Sequence, residues 1–201
     1  IAYLSKKTRK MLDEAGLDYV KIVASNSLDE SIIRDLIMQG AQIDSFGVGE
    51  RLITSKSEPV FGGVYKLSAV EENGKIIPKI KISENVTKIT NPSYKKVWRL
   101  FDNASGKAVA DVITLADEVI DDSKPYTIFD PEQTYKKTTL TNFTAKPLQV
   151  KIFEKGKCIY NSPDIEEIKA YCKSQLGTIW DEVKRFENPH EYYVDLSQPL
   201  W

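Results

Sequence analysis

The sequence predicts an α/β unit followed by a β-rich region, and three observations carry that reading. Residues 1–60 alternate helical and strand-like segments. Residues 61–160 hold three hairpin signatures. Residues 161–201 return to helical periodicity and close in an aromatic tail.

Leu4, Thr8, Met11, Leu12 and Ala15 recur at helical spacing, and Gly16 supplies a stop. Val20 to Ala24 is a short β-branched run, a buried strand candidate. Ser27-Leu28-Asp29-Glu30 matches the S-x-x-E capping box, with Ser27 as the cap. The helix it opens carries Leu28, Ile32, Ile33, Leu36 and Ile37 on one face, and Gly40 ends it. Ile43 to Val48 reads as the next strand. Strands joined through helices are expected to run parallel.

After Pro59 the pattern changes. Gly62–Glu71 and Lys75–Ser83 flank Asn73-Gly74, a pair that suits a type I′ turn because both residues tolerate positive φ. Tyr94–Phe101 and Lys107–Leu115 flank a second turn, and Leu148–Phe153 and Lys157–Tyr160 a third. Together they suggest one antiparallel sheet, with Pro78 at an edge or bulge. Ser162 as cap and Pro163 at the first helical position introduce Ile165, Ile168, Cys172 and Leu176 on one face. Thr178 then reads as the cap of a second closing helix carrying Ile179, Val183 and Phe186.

Composition excludes several classes. The formal net charge is −1, from 28 basic and 29 acidic residues, which argues against a general nucleic-acid binder. No apolar run is long enough to predict a membrane helix. Cys158 and Cys172 lack metal-ligand spacing and read as free thiols, as expected of a cytoplasmic protein. No metal site is expected. Asp117-Glu118 and Asp121-Asp122 read as surface acids, and Lys95-Lys96 and Lys136-Lys137 as solvated faces. His190 stands without a triad partner. The chain opens at Ile1 and runs at once into helix, which reads as a fragment whose preceding strand and loop are missing.

The candidate chemistry lies at the two strand ends. Gly47-Val48-Gly49 follows a strand, and glycine lets backbone N–H groups approach an anion with no Cβ between them. A helix beginning at Glu50 would add its positive end. A plain strand-to-helix turn explains the same glycines. Ser25-Asn26-Ser27 ends the preceding strand, where short polar side chains suit a ribose or phosphate, or serve only as a cap. Gly62-Gly63-Val64-Tyr65-Lys66-Leu67 could bring Lys66 to an anion, or be a flexible strand entry.

These stretches, with Ala2-Tyr3-Leu4-Ser5-Lys6-Lys7, Lys21 to Asn26, Leu52-Ile53-Thr54-Ser55, Lys79 to Asn85, Lys88 to Pro92, Val194-Asp195-Leu196 and Leu200-Trp201, resemble nicotinate phosphoribosyltransferases of the bacterial type. The likeness runs in order along the whole chain. It implies that nicotinate and phosphoribosyl pyrophosphate give nicotinate mononucleotide and pyrophosphate, coupled to ATP hydrolysis, in NAD salvage. It implies Mg²⁺, a homodimer, and part of an irregular α/β barrel followed by a β-rich antiparallel region and C-terminal helices.

The resemblance places Gly47, Val48 and Gly49 on the 5-phosphate, and Ser25 and Asn26 in the ribose-phosphate pocket. It places the Arg-x-Asp-Ser-Gly-Asp-type segment, the phosphorylated histidine and the nicotinate clamp upstream of Ile1. The catalytic residues therefore belong to the missing N-terminal part of the same enzyme, and this chain alone is expected to be inactive. Two other roles fit the residues: a non-catalytic phosphate- or nucleotide-binding module, and a structural or dimerisation piece.

Overall fold

The computed structural model describes residues 1–60, 62–85 and 88–201. Phe61, where the β-rich region is expected to begin, lies outside the described residues. The chain forms two compact units, Ile1–Val64 and Tyr65–Trp201.

The first unit runs α1 (Ala2–Glu14), β1 (Val23–Ser25), α2 (Glu30–Met38), β2 (Ser45–Gly47) and α3 (Glu50–Ile53). The strands pair in parallel, with Val23, Ala24 and Ser25 opposite Ser45, Phe46 and Gly47. Among the described residues these two strands form a sheet of their own, and no barrel closes. Ala2, Leu28 and Leu36 are the buried centre, flanked by Ala24, Ile32, Ile33, Ile43, Phe46 and Val48.

The inward face of α1 differs from the expected one. Ala2 and Ser5 are buried, while Leu4 and Met11 are about 60 % exposed. Small residues let α1 lie close, and Ser5 bonds both ways. Its Oγ donates to the Ala2 carbonyl at 2.8 Å and accepts the Gln42 N–H at 2.9 Å. Arg9 adds a tie by donating to the carbonyls of Val20 and Leu17. Hydropathy periodicity overlooks a face held by hydrogen bonds.

Among the described residues the second unit holds one four-stranded sheet and three separate hairpins, rather than the single antiparallel sheet expected. The four-stranded sheet contains β5 (Lys95–Asp102), β6 (Ala108–Leu115), β9 (Phe143–Pro147) and β12 (Tyr193–Leu196), in the order β12-β6-β5-β9. β12 pairs with β6 in parallel, so the sheet is mixed. Trp98 and Leu100 lie opposite Val112 and Ala110, and all four face the core with Ile120, Ile128 and Phe143. On the other face Arg99 donates two bonds to Asp111, at 2.8 and 2.9 Å, and the Tyr192 hydroxyl donates to the same carboxylate at 2.9 Å.

The hairpins are β3 (Ala69–Glu72) with β4 (Lys75–Pro78), β7 (Tyr126–Phe129) with β8 (Lys137–Leu140), and β10 (Phe153–Glu154) with β11 (Lys157–Cys158). Asn73 and Gly74 take φ of 52° and 76°, the two positive values a type I′ turn needs. β7, β8 and β12 escape the sequence reading because none alternates cleanly in hydropathy. Lys95 is no solvated lysine. It is half-buried, and its ammonium donates to the carbonyls of Pro92 and Ser93 at 3.2 and 3.0 Å.

One closing helix forms, α4 (Ile165–Thr178), and its cap is Asp164 rather than Ser162. Asp164 and Glu167 complete a capping box. The second closing helix is not found, because Thr178 cannot cap it: its Oγ1 donates back to Gln175 at 2.7 Å, and Ile179 is extended. Turns through Trp180–Lys184 follow, and the His190 N–H bonds the Glu182 carbonyl at 2.9 Å. Lys107 closes the end of α4 by donating to the Gly177 and Ile179 carbonyls. Every residue from Lys146 to Ser174 is exposed.

Candidate functional site

The parallel pair in the first unit ends level, with Ser25 directly opposite Gly47. Beyond Ser25 the chain turns sharply through Asn26 and Ser27, at φ 98° and 51°. This left-handed region is open mainly to Gly, Asn and Asp. The turn delivers Asp29, which caps α2 by accepting the Ile32 N–H at 2.9 Å. Ser27, the expected cap, is thereby left out of the helix start. The other oxygen of Asp29 pairs with the Arg51 guanidinium, so one carboxylate joins the start of α2 to α3.

Between these two loops lies a cleft of about 270 Å³, lined by Asn26, Ser27, Leu28, Gly47, Gly49, Glu50, Arg51 and Lys56. The Ile32 N–H holds the Asp29 carboxyl below its ordinary range, opposed by desolvation and helped by Arg51. Arg51 is matched by Asp29, and the lining residues Glu50 and Lys56 carry opposite charges. Side-chain charge therefore gives the cleft little net attraction for an anion. The N–H groups of Glu50 and Arg51, in the first turn of α3, have no acceptor within their helix. That helix is a single turn.

Of the residues singled out from sequence, Asn26, Gly47 and Gly49 line the cleft. Ser25 sits beside Gly47 at the strand end, and the Val48 side chain packs into the core. Lys66 belongs to the second unit, where its ammonium donates to the Lys88 carbonyl. The sequence assigns Ser27 to the helix cap, whereas Ser27 lines the cleft, and it gives no role to Arg51 or Lys56. Arg51 lies 22 positions from Asp29, a separation that no local motif encodes.

A family model, the nicotinate phosphoribosyltransferase C-terminal domain, matches residues 94–201. The chain belongs to the nicotinate phosphoribosyltransferase family. The Bacillus subtilis (strain 168) nicotinate phosphoribosyltransferase is 47% identical over the whole chain, which covers 41% of that protein. The Dictyostelium discoideum nicotinate phosphoribosyltransferase is 33% identical over the whole chain, covering 36% of it. The crystal structure of human nicotinic acid phosphoribosyltransferase superposes on 99% of this chain and 36% of its own, with a TM-score of 0.71 and 25% identity. The chain thus spans roughly two-fifths of these nicotinate phosphoribosyltransferases. The family model begins just before β5, so the cleft at residues 26–56 precedes it, whereas the relatives align across both. Among the described residues no helix is long and apolar enough to cross a membrane.

Proposed function

We propose that this chain forms part of an enzyme that joins nicotinate to phosphoribosyl pyrophosphate, giving nicotinate mononucleotide and pyrophosphate with coupled ATP hydrolysis. Its contribution is the side of the site that holds the 5-phosphate. The observation that carries this reading is the cleft between the ends of β1 and β2. Ligands of parallel sheets collect at the carboxyl ends of strands. Gly47 and Gly49 leave the backbone bare there, and Asn26 offers an amide that can bond a phosphate or ribose oxygen. Backbone N–H groups supply the attraction, since Arg51 is paired with Asp29 and the opposite charges of Glu50 and Lys56 largely offset one another.

The chemistry sets what such a cleft must do. Charge builds on departing pyrophosphate while the ribose carbon becomes cationic. A fixed 5-phosphate aligns that carbon with the nicotinate nitrogen. Mg²⁺ is the cation expected with phosphoribosyl pyrophosphate. Among the described residues no three His, Cys, Asp or Glu side chains converge on a metal position. The remaining catalytic groups belong to the rest of the enzyme.

Ribose 5-phosphate tests the reading. A ligand that binds only the folded form raises the thermal midpoint. The protein is expected to gain stability with ribose 5-phosphate, and Gly49→Val, which fills the cleft, to lose that gain. Equal gains in both proteins, or none in either, would remove the phosphate role.

A structural role has its own support. Residues 146–174 are exposed throughout, and they present Val150, Phe153, Ile165 and Tyr171 at 65–66 % exposure. Such a face suits contact with a second copy in a homodimer. Sedimentation of the protein with Phe153→Ser and Tyr171→Ser tests it: a shift from dimer to monomer supports the role, and an unchanged dimer removes it.

A further inference from the structure

The second unit carries a cleft of about 360 Å³ that plays no part in the phosphate reading. It is lined by residues of the β7–β8 hairpin, among them Ile128, Asp130 and Tyr135, and by Tyr193 and Asp195 of β12. Asp195 is 5 % exposed. Among the described residues no hydrogen bond or ion pair reaches its carboxylate. Because no side-chain oxygen among the described residues is both buried and without a partner, this carboxylate keeps some contact with solvent in the cleft; a partly desolvated carboxylate of this kind ordinarily has a counter-ion. Its neighbour makes matters worse: Asp130 repels it, and with burial this holds the Asp195 carboxyl above its ordinary range. Asp130 itself is served by the N–H groups of Gln133 and Glu132 and by the charge of Lys136.

We propose that this cleft binds a small organic cation, a primary ammonium or guanidinium bearing an apolar group, on the carboxylate of Asp195. The walls select that class. Tyr193 and Tyr135 are 50 % and 78 % exposed and offer aromatic faces to a cation. Ile128 supplies an apolar floor. A hard metal ion needs about six oxygen ligands, and among the described residues no third carboxylate joins Asp130 and Asp195. Lys136 and Lys137 are exposed, so their charged ends reach solvent while their stems form wall.

Calorimetric titration of the protein with n-butylammonium and with methylguanidinium, at constant ionic strength, tests the proposal. Saturable binding is expected for the wild type. Asp195→Asn is expected to weaken it about tenfold or more, because the carboxylate that meets the cation is gone. Tyr193→Leu, at an exposed position, keeps the charge and removes one aromatic wall, so a loss of a few-fold is expected. Equal binding by the wild type and Asp195→Asn overturns the proposal, as does displacement by Mg²⁺. Absence of saturation in the wild type overturns it too, including the case where a lysine or arginine of the protein already fills the cleft. None of these outcomes bears on the ribose 5-phosphate experiment.

Discussion

Gly47 faces Ser25 across the parallel pair so closely that a Cβ built on it would stand 3.1 Å from the Ser25 Cβ. A Cβ on Gly49 would meet nothing within 4 Å. Two glycines separated only by Val48 thus answer to different demands. Gly47→Ala forces the strands to shift and is expected to cost about 1 kcal/mol or more. Gly49→Ala is expected to change stability by less than about 0.5 kcal/mol. Any loss of ribose 5-phosphate binding in Gly49→Ala would then report the cleft itself. Denaturant melts paired with ligand titration check both.

Asp29 serves two masters, the N-terminus of α2 and Arg51. Asp29→Asn keeps a cap and loses the ion pair, whereas Asp29→Ala loses both. The alanine variant is expected to melt at the lower temperature. The Asp29 pKa is depressed in the fold, so its contribution is present above the ordinary aspartate pKa and fades as pH falls through the folded value. In acid the parent protein should converge on the asparagine variant, while the alanine variant stays below both, as thermal melts across pH would show.

The Arg99–Asp111–Tyr192 cluster ties β5, β6 and the segment before β12 together on the polar face of the sheet. Asp111 is 8 % exposed. Asp111→Ala strands a half-buried guanidinium and is expected to cost about 3 kcal/mol. Leu100→Ala, on the opposite face at 0 % exposure, is expected to cost a similar amount, about 3 kcal/mol, through its cavity. Urea midpoints at unchanged m-value check both.

Asp195 acts in the reverse sense to Asp29. Its pKa is raised in the fold by burial and by Asp130. The folded state then holds a proton that the unfolded state releases, so stability falls as pH rises from the ordinary aspartate value to the raised one. Asp195→Asn is expected to remove that slope and, at pH 7 without ligand, to stabilise by about 1 kcal/mol. A steeper slope in the variant would contradict this.

Much of this was legible in the chain because local chemistry sets it. Asn73-Gly74 fixes its turn through two positive φ values. The run Leu28, Ile32, Ile33, Leu36 marks the buried face of α2, and the paired apolar runs anticipate the parallel strands. What escaped depends on partners distant in sequence. β12 is a strand because β6 offers a free edge about 80 residues earlier. Ser5 is buried because Gln42 bonds it. The cleft shows the same division: the strand-end residues stand out in the sequence, while Arg51 and Lys56 enter only when α3 folds back towards Asp29.

The unbroken exposure of residues 146–174 has a practical result for anyone handling this polypeptide. Proteases need backbone they can draw into an extended groove, and a two-stranded ribbon such as β10–β11 resists that poorly. Brief trypsin treatment should therefore cut first after Lys151, Lys155 or Lys157, leaving a nicked chain whose four-stranded sheet stays whole.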